Sequence, residues 1–122
     1  MKPLKTFEDL VFQKHAVAIE AEECLKKDKP LLPLSLYKKA CNAKQAVMDF
    51  PNGYGISVVF GEMFYSNGID TYEVAVTKGR KLCFDTPITD DVMGHLNKEE
   101  VTSIMKVIQL LPDAKELIQE VV

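Results

Sequence analysis

Apolar and polar residues alternate with a period of two through the middle of the chain. In Ala46-Val-Met-Asp-Phe-Pro-Asn-Gly-Tyr-Gly-Ile-Ser-Val-Val-Phe60, alternating runs flank a Pro-Asn-Gly turn. Asn52-Gly53 suits a two-residue type I′ turn, whose central residues both take positive φ. That closure would set Met48 opposite Ser57 and Pro51 opposite Tyr54, so apolar side chains would meet polar ones. A three-residue loop, Pro51-Asn52-Gly53 with Gly53 left-handed as a bulge, instead pairs Phe50 with Tyr54, Met48 with Ile56 and Ala46 with Val58. A slip of one residue would turn the whole row to solvent. The pattern therefore predicts the bulged turn, with Ala46, Met48, Phe50, Ile56, Val58 and Phe60 in the core and Gln45, Asp49 and Ser57 on the other face.

A second hairpin follows, with Tyr72, Val74 and Val76 on one strand, Leu82 and Phe84 on the next, and Gly79 in the turn. The same face argument selects a three-residue loop, Lys78-Gly79-Arg80, which sets Val76 opposite Leu82 and Val74 opposite Phe84 and turns Cys83 to the far side beside Ala75 and Glu73. Two successive hairpins read as a four-stranded antiparallel meander.

After Phe84 the period changes. Asp85-Thr-Pro-Ile-Thr-Asp-Asp91 is turn and cap chemistry, with Thr89 as N-cap of a single helical turn ending near Gly94. Asn97 and Glu100 stand in capping-box positions, and Val101, Ile104, Met105, Ile108 and Leu111 recur at helical spacing before Pro112. Asp113 can cap a last short helix whose stripe is Leu117, Ile118 and Val121. Near the N-terminus, Phe7 to Phe12 reads as an edge strand with Leu10 and Phe12 inward, or as a helix capped by Thr6 with Asp9. The strand is preferred. Ala16 to Lys27 has helix-forming composition, and Lys29-Pro-Leu-Leu-Pro-Leu34 cannot continue it. The expected fold is a single α+β domain over 1–122. It has a four-stranded meander packed by C-terminal helices (97–122) and a helical, proline-containing excursion (17–43) between two strands.

A chain of 122 residues buries roughly two thirds of its unfolded surface, enough for a core without disulfides or metal. Cys24, Cys41 and Cys83 show no CxxC spacing, and an odd set cannot all pair within one molecule. Reduced thiols and the lack of an apolar signal core or long apolar run point to a cytoplasmic protein without membrane association. Residues 1–84 carry a net charge of +2 and residues 85–122 of −5. Asp85, Asp90, Asp91, Glu99 and Glu100 thus form an acidic edge that suits a basic partner, although acids near helix starts also offset the macrodipole and solvate the surface. The one arginine, Arg80, and scattered lysines make no phosphate-binding stripe, so nucleic acid is not an expected partner.

No cofactor or metal motif is present. Cys83, Asp85 and His95 invite a thiol nucleophile with an imidazole base, but a lone strand cysteine more often packs than reacts. His95 and Glu99 are one turn apart but separated by the Asn97 cap, and two histidines without a cysteine pair do not complete a zinc site. Asp85, Asp90 and Asp91 lack calcium-loop spacing. Gly53, Gly55 and Gly61 belong to no phosphate loop. The segment Met63-Phe-Tyr-Ser-Asn-Gly-Ile-Asp70 concentrates large apolar side chains beside a turn. If Phe64, Tyr65 and Ile69 are exposed together they form an aromatic anchor for a protein partner. The competing reading has Gly61 make a bulge, the strand continue, and Met63 to Tyr65 cap the core.

Thr6-Phe-Glu-Asp-Leu-Val-Phe12, Met48-Asp-Phe-Pro-Asn-Gly-Tyr-Gly-Ile-Ser-Val-Val59, Tyr72-Glu-Val-Ala-Val76 and Leu82-Cys-Phe-Asp-Thr-Pro-Ile-Thr-Asp-Asp-Val-Met-Gly-His-Leu96 resemble small uncharacterised proteins of bacterial prophages and other mobile elements. The resemblance spans most of residues 6–111, departs over 17–43 and after Leu111, and implies a bacterial cytoplasmic setting while transferring no catalytic residue. The expectation is a non-enzymatic protein-interaction factor, an accessory or host-modulating protein of a mobile element. Its partner-binding residues are Phe64, Tyr65, Ile69, Asp90 and Asp91. The alternatives are a small enzyme or ligand-binding domain using Cys83, Asp85 and His95, and a homo-oligomer built on the C-terminal helix.

Overall fold

A computed structural model of the chain describes residues 3–27, 33–79, 81–82 and 92–112. An antiparallel sheet carries the fold. Strands β1 (Gln13–Lys14), β2 (Lys44–Asp49), β3 (Tyr54–Phe60) and β4 (Tyr72–Lys78) lie side by side in chain order. The outer edge of β4 is shared: β5 (Lys81–Leu82) pairs with one end of it and β6 (Met93–Leu96) with the other.

The first hairpin closes as the face argument requires. Met48 lies opposite Ile56 and Ala46 opposite Val58. Phe50 N–H donates to Tyr54 O at 2.8 Å and Gly53 N–H to Phe50 O at 3.1 Å, and Gly53 takes the left-handed backbone (φ 90°) that a side chain would strain. The turn also has a longer-range task. Asn52 Nδ2 donates to the carbonyls of Ile108 and Leu111, at 2.8 and 3.1 Å, satisfying acceptors that a helix C-terminus leaves open. That helix, α3 (Lys98–Gln109), begins at the expected capping box: Asn97 Oδ1 accepts from Glu100 N–H at 2.8 Å and Glu100 Oε1 from Asn97 N–H at 3.1 Å. Its stripe of Val101, Met105 and Ile108 is fully buried against Ile56, Val58, Val74 and Val76 of the sheet. Phe7, Leu10, Phe12, Met93 and Leu96 close the margins of this core.

The structure corrects several expectations. Among the described residues the sheet has six strands rather than four. Residues 7–12 do not form an edge strand: Phe7–Asp9 is a 3₁₀ turn in which Thr6 N–H donates to Asp9 Oδ2 at 2.8 Å, the capped alternative. Pairing begins one step later, Gln13 with Gln45 and Lys14 with Lys44, where polar residues face polar ones and no alternation marks a strand. Residues 93–96 are strand and not the end of a helical turn; Thr89 lies outside the described residues. The second hairpin is one residue tighter than expected, with Lys78 opposite Lys81 and Thr77 opposite Leu82. Leu82 consequently sits on the far face, 57 % exposed. Met93 of β6 takes the place opposite Val74, so the apolar row of β4 is completed from elsewhere and no longer dictates the register of β5. Cys83, Phe84 and the C-terminal stripe Leu117, Ile118 and Val121 lie outside the described residues.

The excursion over 17–43 does run between two paired strands, and it contains a helix beyond the expected one. After α1 (Ala16–Leu25), α2 (Leu34–Cys41) starts directly behind Pro33. A proline at that point forfeits no helical hydrogen bond and presets φ. Ala21, Tyr37 and Ala40 make a small second core between α1 and α2. Among the described residues no helix is long and apolar enough to cross a membrane.

Candidate functional site

β3 ends at Phe60, where Gly61 turns the chain with φ 135° and sits so close to Ala43 that a Cβ would press on its Cα. The strand does not continue, so Met63 to Tyr65 do not cap the core. Residues 61–71 instead form a loop fastened by its own side chains. Asn67 Oδ1 accepts from the N–H groups of Ile69, Asp70 and Thr71 at 2.9–3.0 Å, and its Nδ2 donates to Asp70 Oδ1 at 2.8 Å. Ser66, buried, donates its hydroxyl to Thr71 O at 2.7 Å and accepts from Gly61 and Gly68 N–H, both at 3.1 Å. An asparagine bonding to backbone a few residues on is the Asx device of turns. Here it bonds several amides at once.

The large side chains of this loop turn to different neighbours. Phe64 is half-buried, its ring 4.9 Å from that of His15. His15 in turn caps α1, its Nδ1 accepting from Val17 N–H at 3.0 Å. Tyr65 is 62 % exposed. Its backbone is gripped from both directions, by Glu73 Oε1 accepting from its N–H at 3.3 Å and by His95 N–H donating to its carbonyl at 2.8 Å. Ile69 is 79 % exposed and rims a depression of about 180 Å³ floored by Phe12, Phe60 and Tyr72, with Lys44 at its side. The rings of Phe7, Phe12 and Phe60 lie 5.0–5.7 Å from that of Tyr72, tilted or edge-on. Burial, and then the nearby carboxylates of Asp70 and Glu8, raise the Tyr72 phenol above its ordinary pKa. Phe64, Tyr65 and Ile69 are therefore not one aromatic cluster. Tyr65 faces β6, Ile69 faces the aromatic floor, and Phe64 supports the loop from behind.

Opposite Tyr65, β6 carries a bulge, since three steps from Met93 to Leu96 match two steps from Tyr72 to Val74. His95 within it has φ 55°, unusual for a residue with a side chain, and a Cβ on Gly94 would run into Tyr65. A Gly-His pair at an edge bulge therefore seats the loop, a role that period and spacing do not announce. The Ser66-Asn67-Gly68 run was readable as turn chemistry, whereas Glu73 as an acceptor for the loop and the aromatic floor beneath Ile69 arise from tertiary packing.

Of the catalytic trio considered from sequence, only the exposed His95 falls within the described residues; Cys83 and Asp85 lie outside them, as do Asp90 and Asp91 of the acidic edge. Glu99 and Glu100 are exposed in the first turn of α3, where Glu100 closes the capping box. Among the described residues no three His, Cys, Asp or Glu side chains gather as a metal site. Cys24 and Cys41 are half-buried free thiols. In comparisons with protein-family models, curated proteins and solved structures, the chain matches none of them.

Proposed function

We propose that the protein is a non-enzymatic interaction factor that binds another protein through the 61–71 loop, with Tyr65 and Ile69 as anchors, and that it serves a bacterial mobile element as an accessory or host-modulating protein. The observation that carries the first part is the combination of a loop held by the Asn67 and Ser66 side chains with two large apolar side chains kept in solvent. A loop ordered before binding loses little further conformational entropy on association, and aromatic and aliphatic anchors supply a disproportionate share of interface energy. The second part rests on the sequence resemblance alone. Asp90 and Asp91, which lie outside the described residues, enter the proposal from the sequence alone as an alternative, acidic contact whose charge would steer a basic partner.

The test is affinity capture from bacterial lysate with the unmodified chain, Tyr65→Ala and Ile69→Ala, followed by titration of each variant with the purified captured protein. The expected result is one specific partner whose affinity falls about tenfold or more with either change, the order expected for an interface anchor. A partner held equally by all three proteins, or the absence of any specific partner, removes the loop surface from consideration.

A further inference from the structure

The core-facing row of β2 ends on a charge. Period two places Phe50, Met48, Ala46 and Lys44 on one side of the chain, and Lys44 lies opposite Phe60 of β3. Lys44 makes no ion pair among the described residues. Beyond Phe60 the row reaches Tyr72 of β4, whose ring centre is 5.5 Å from that of Phe60. Tyr72 is only 8 % exposed, yet its hydroxyl takes part in no hydrogen bond among the described residues. A buried phenol ordinarily finds a partner. The depression of about 180 Å³ opens over this row, with Phe12 and Ile69 as its remaining walls. It has room for about six waters at roughly 30 Å³ each, the space of one small ring.

We propose that this depression binds a small aromatic monocarboxylate, its ring against Phe12, Phe60 and Ile69 and its carboxylate held between the Lys44 ammonium and the Tyr72 hydroxyl. Lys44 and Tyr72 flank Phe60 from the two neighbouring strands, about 10 Å apart at the backbone, a gap that a flexible lysine and a ring hydroxyl can close on one carboxylate. Both groups then donate to an ionised acceptor, the stronger kind of hydrogen bond. Burial, and then the nearby carboxylates of Asp70 and Glu8, hold the phenol in its protonated, donating form. The same two carboxylates oppose a second negative charge, so the site selects a monoanion over a dianion. Polar groups that fix orientation within an apolar wall are the usual anatomy of a small-molecule site. The site shares Ile69 with the loop surface but needs no protein partner, so it stands or falls apart from the function proposed above.

The full chain, labelled with ¹⁵N, is titrated at neutral pH with phenylacetate, with the cation phenylethylamine and with the dianion phenylmalonate. The expected result is a saturable shift of the Phe12, Phe60 and Ile69 amides by phenylacetate, with a Kd on the order of 1 mM, as a ligand of this size allows. The amine and the dianion should each bind about fivefold more weakly or worse. Lys44→Met and Tyr72→Phe should each weaken phenylacetate about fivefold, whereas Lys106→Met, the same loss of charge on the exposed side of α3, should leave its affinity intact. The absence of a saturable shift up to about 10 mM overturns the proposal, as does an equal response to the amine or the dianion. An affinity unchanged in either Lys44→Met or Tyr72→Phe overturns it as well.

Discussion

At the scale of single residues, the centre of the sheet combines a tight backbone approach with an unspent hydrogen-bonding group. Gly55 lies where a Cβ would meet Met48 O, Thr77 Oγ1 and Asp49 Oδ1, so the strand pair admits no side chain at that point. Thr77 is buried, and its hydroxyl has no hydrogen-bond partner among the described residues. A buried hydroxyl without a partner costs roughly 1–3 kcal/mol relative to one that is satisfied, whereas an isosteric apolar replacement removes the cost. Thr77→Val should therefore raise the stability by about 1 kcal/mol, read as a higher urea midpoint at unchanged slope; a lower midpoint would show that the hydroxyl is satisfied.

At the scale of elements, the 61–71 loop depends on one amide side chain more than on its apolar residues. Replacing Asn67 by Ala removes the acceptor shared by Ile69, Asp70 and Thr71 N–H. The expected outcome is faster hydrogen exchange at those amides, with protection unchanged in β3 and α3, because the loop opens locally without unfolding the core. If exchange in β3 accelerates equally, the loop and core form one cooperative unit. The elements also show which parts of the fold could be read in advance. The Ala46–Phe60 hairpin and α3 were legible because one face of each is buried, so a strict period decides register and orientation. The second hairpin misled, since the apolar row of β4 is completed by Met93, remote in sequence, and a local face argument cannot include that partner. β1 was illegible for a different reason: Gln13 and Lys14 pair with Gln45 and Lys44 without burying anything apolar. For the candidate site, sequence marked the segment and its turn. It could not separate Tyr65, Ile69 and Phe64 by neighbour, because His15, His95 and the aromatic floor reach them only through the fold.

At the scale of the whole molecule, Tyr72 links the sheet to the N-terminal segment, its ring touching Phe7, Phe12 and Phe60, and its raised phenol pKa ties stability to alkaline pH. An acid whose folded pKa exceeds its unfolded value holds its proton more tightly when folded. That share of stability is complete below the unfolded value, about pH 10 for tyrosine, and is lost as pH rises through the higher folded value. Tyr72→Phe should therefore flatten the decline in unfolding free energy above about pH 10, measured by denaturant titration at each pH; a decline as steep as that of the unmodified chain assigns the alkaline loss to other groups.

The fastening of α3 to the N-terminal segment also bears on the order of assembly. Gln109 pairs with the backbone of Lys5 in both directions, accepting from its N–H at 2.8 Å and donating to its carbonyl at 2.9 Å, and Thr102 Oγ1 accepts from Phe7 N–H at 3.0 Å. Contacts so distant in sequence are slow to close, because chain entropy must be lost before they form. During synthesis Phe7, Leu10 and Phe12 emerge well before the helix they pack beside. The growing chain must therefore carry those aromatic and aliphatic side chains uncovered while the hairpin behind them is already complete, and the side-chain amide of Gln109 is the clasp that ends the exposure.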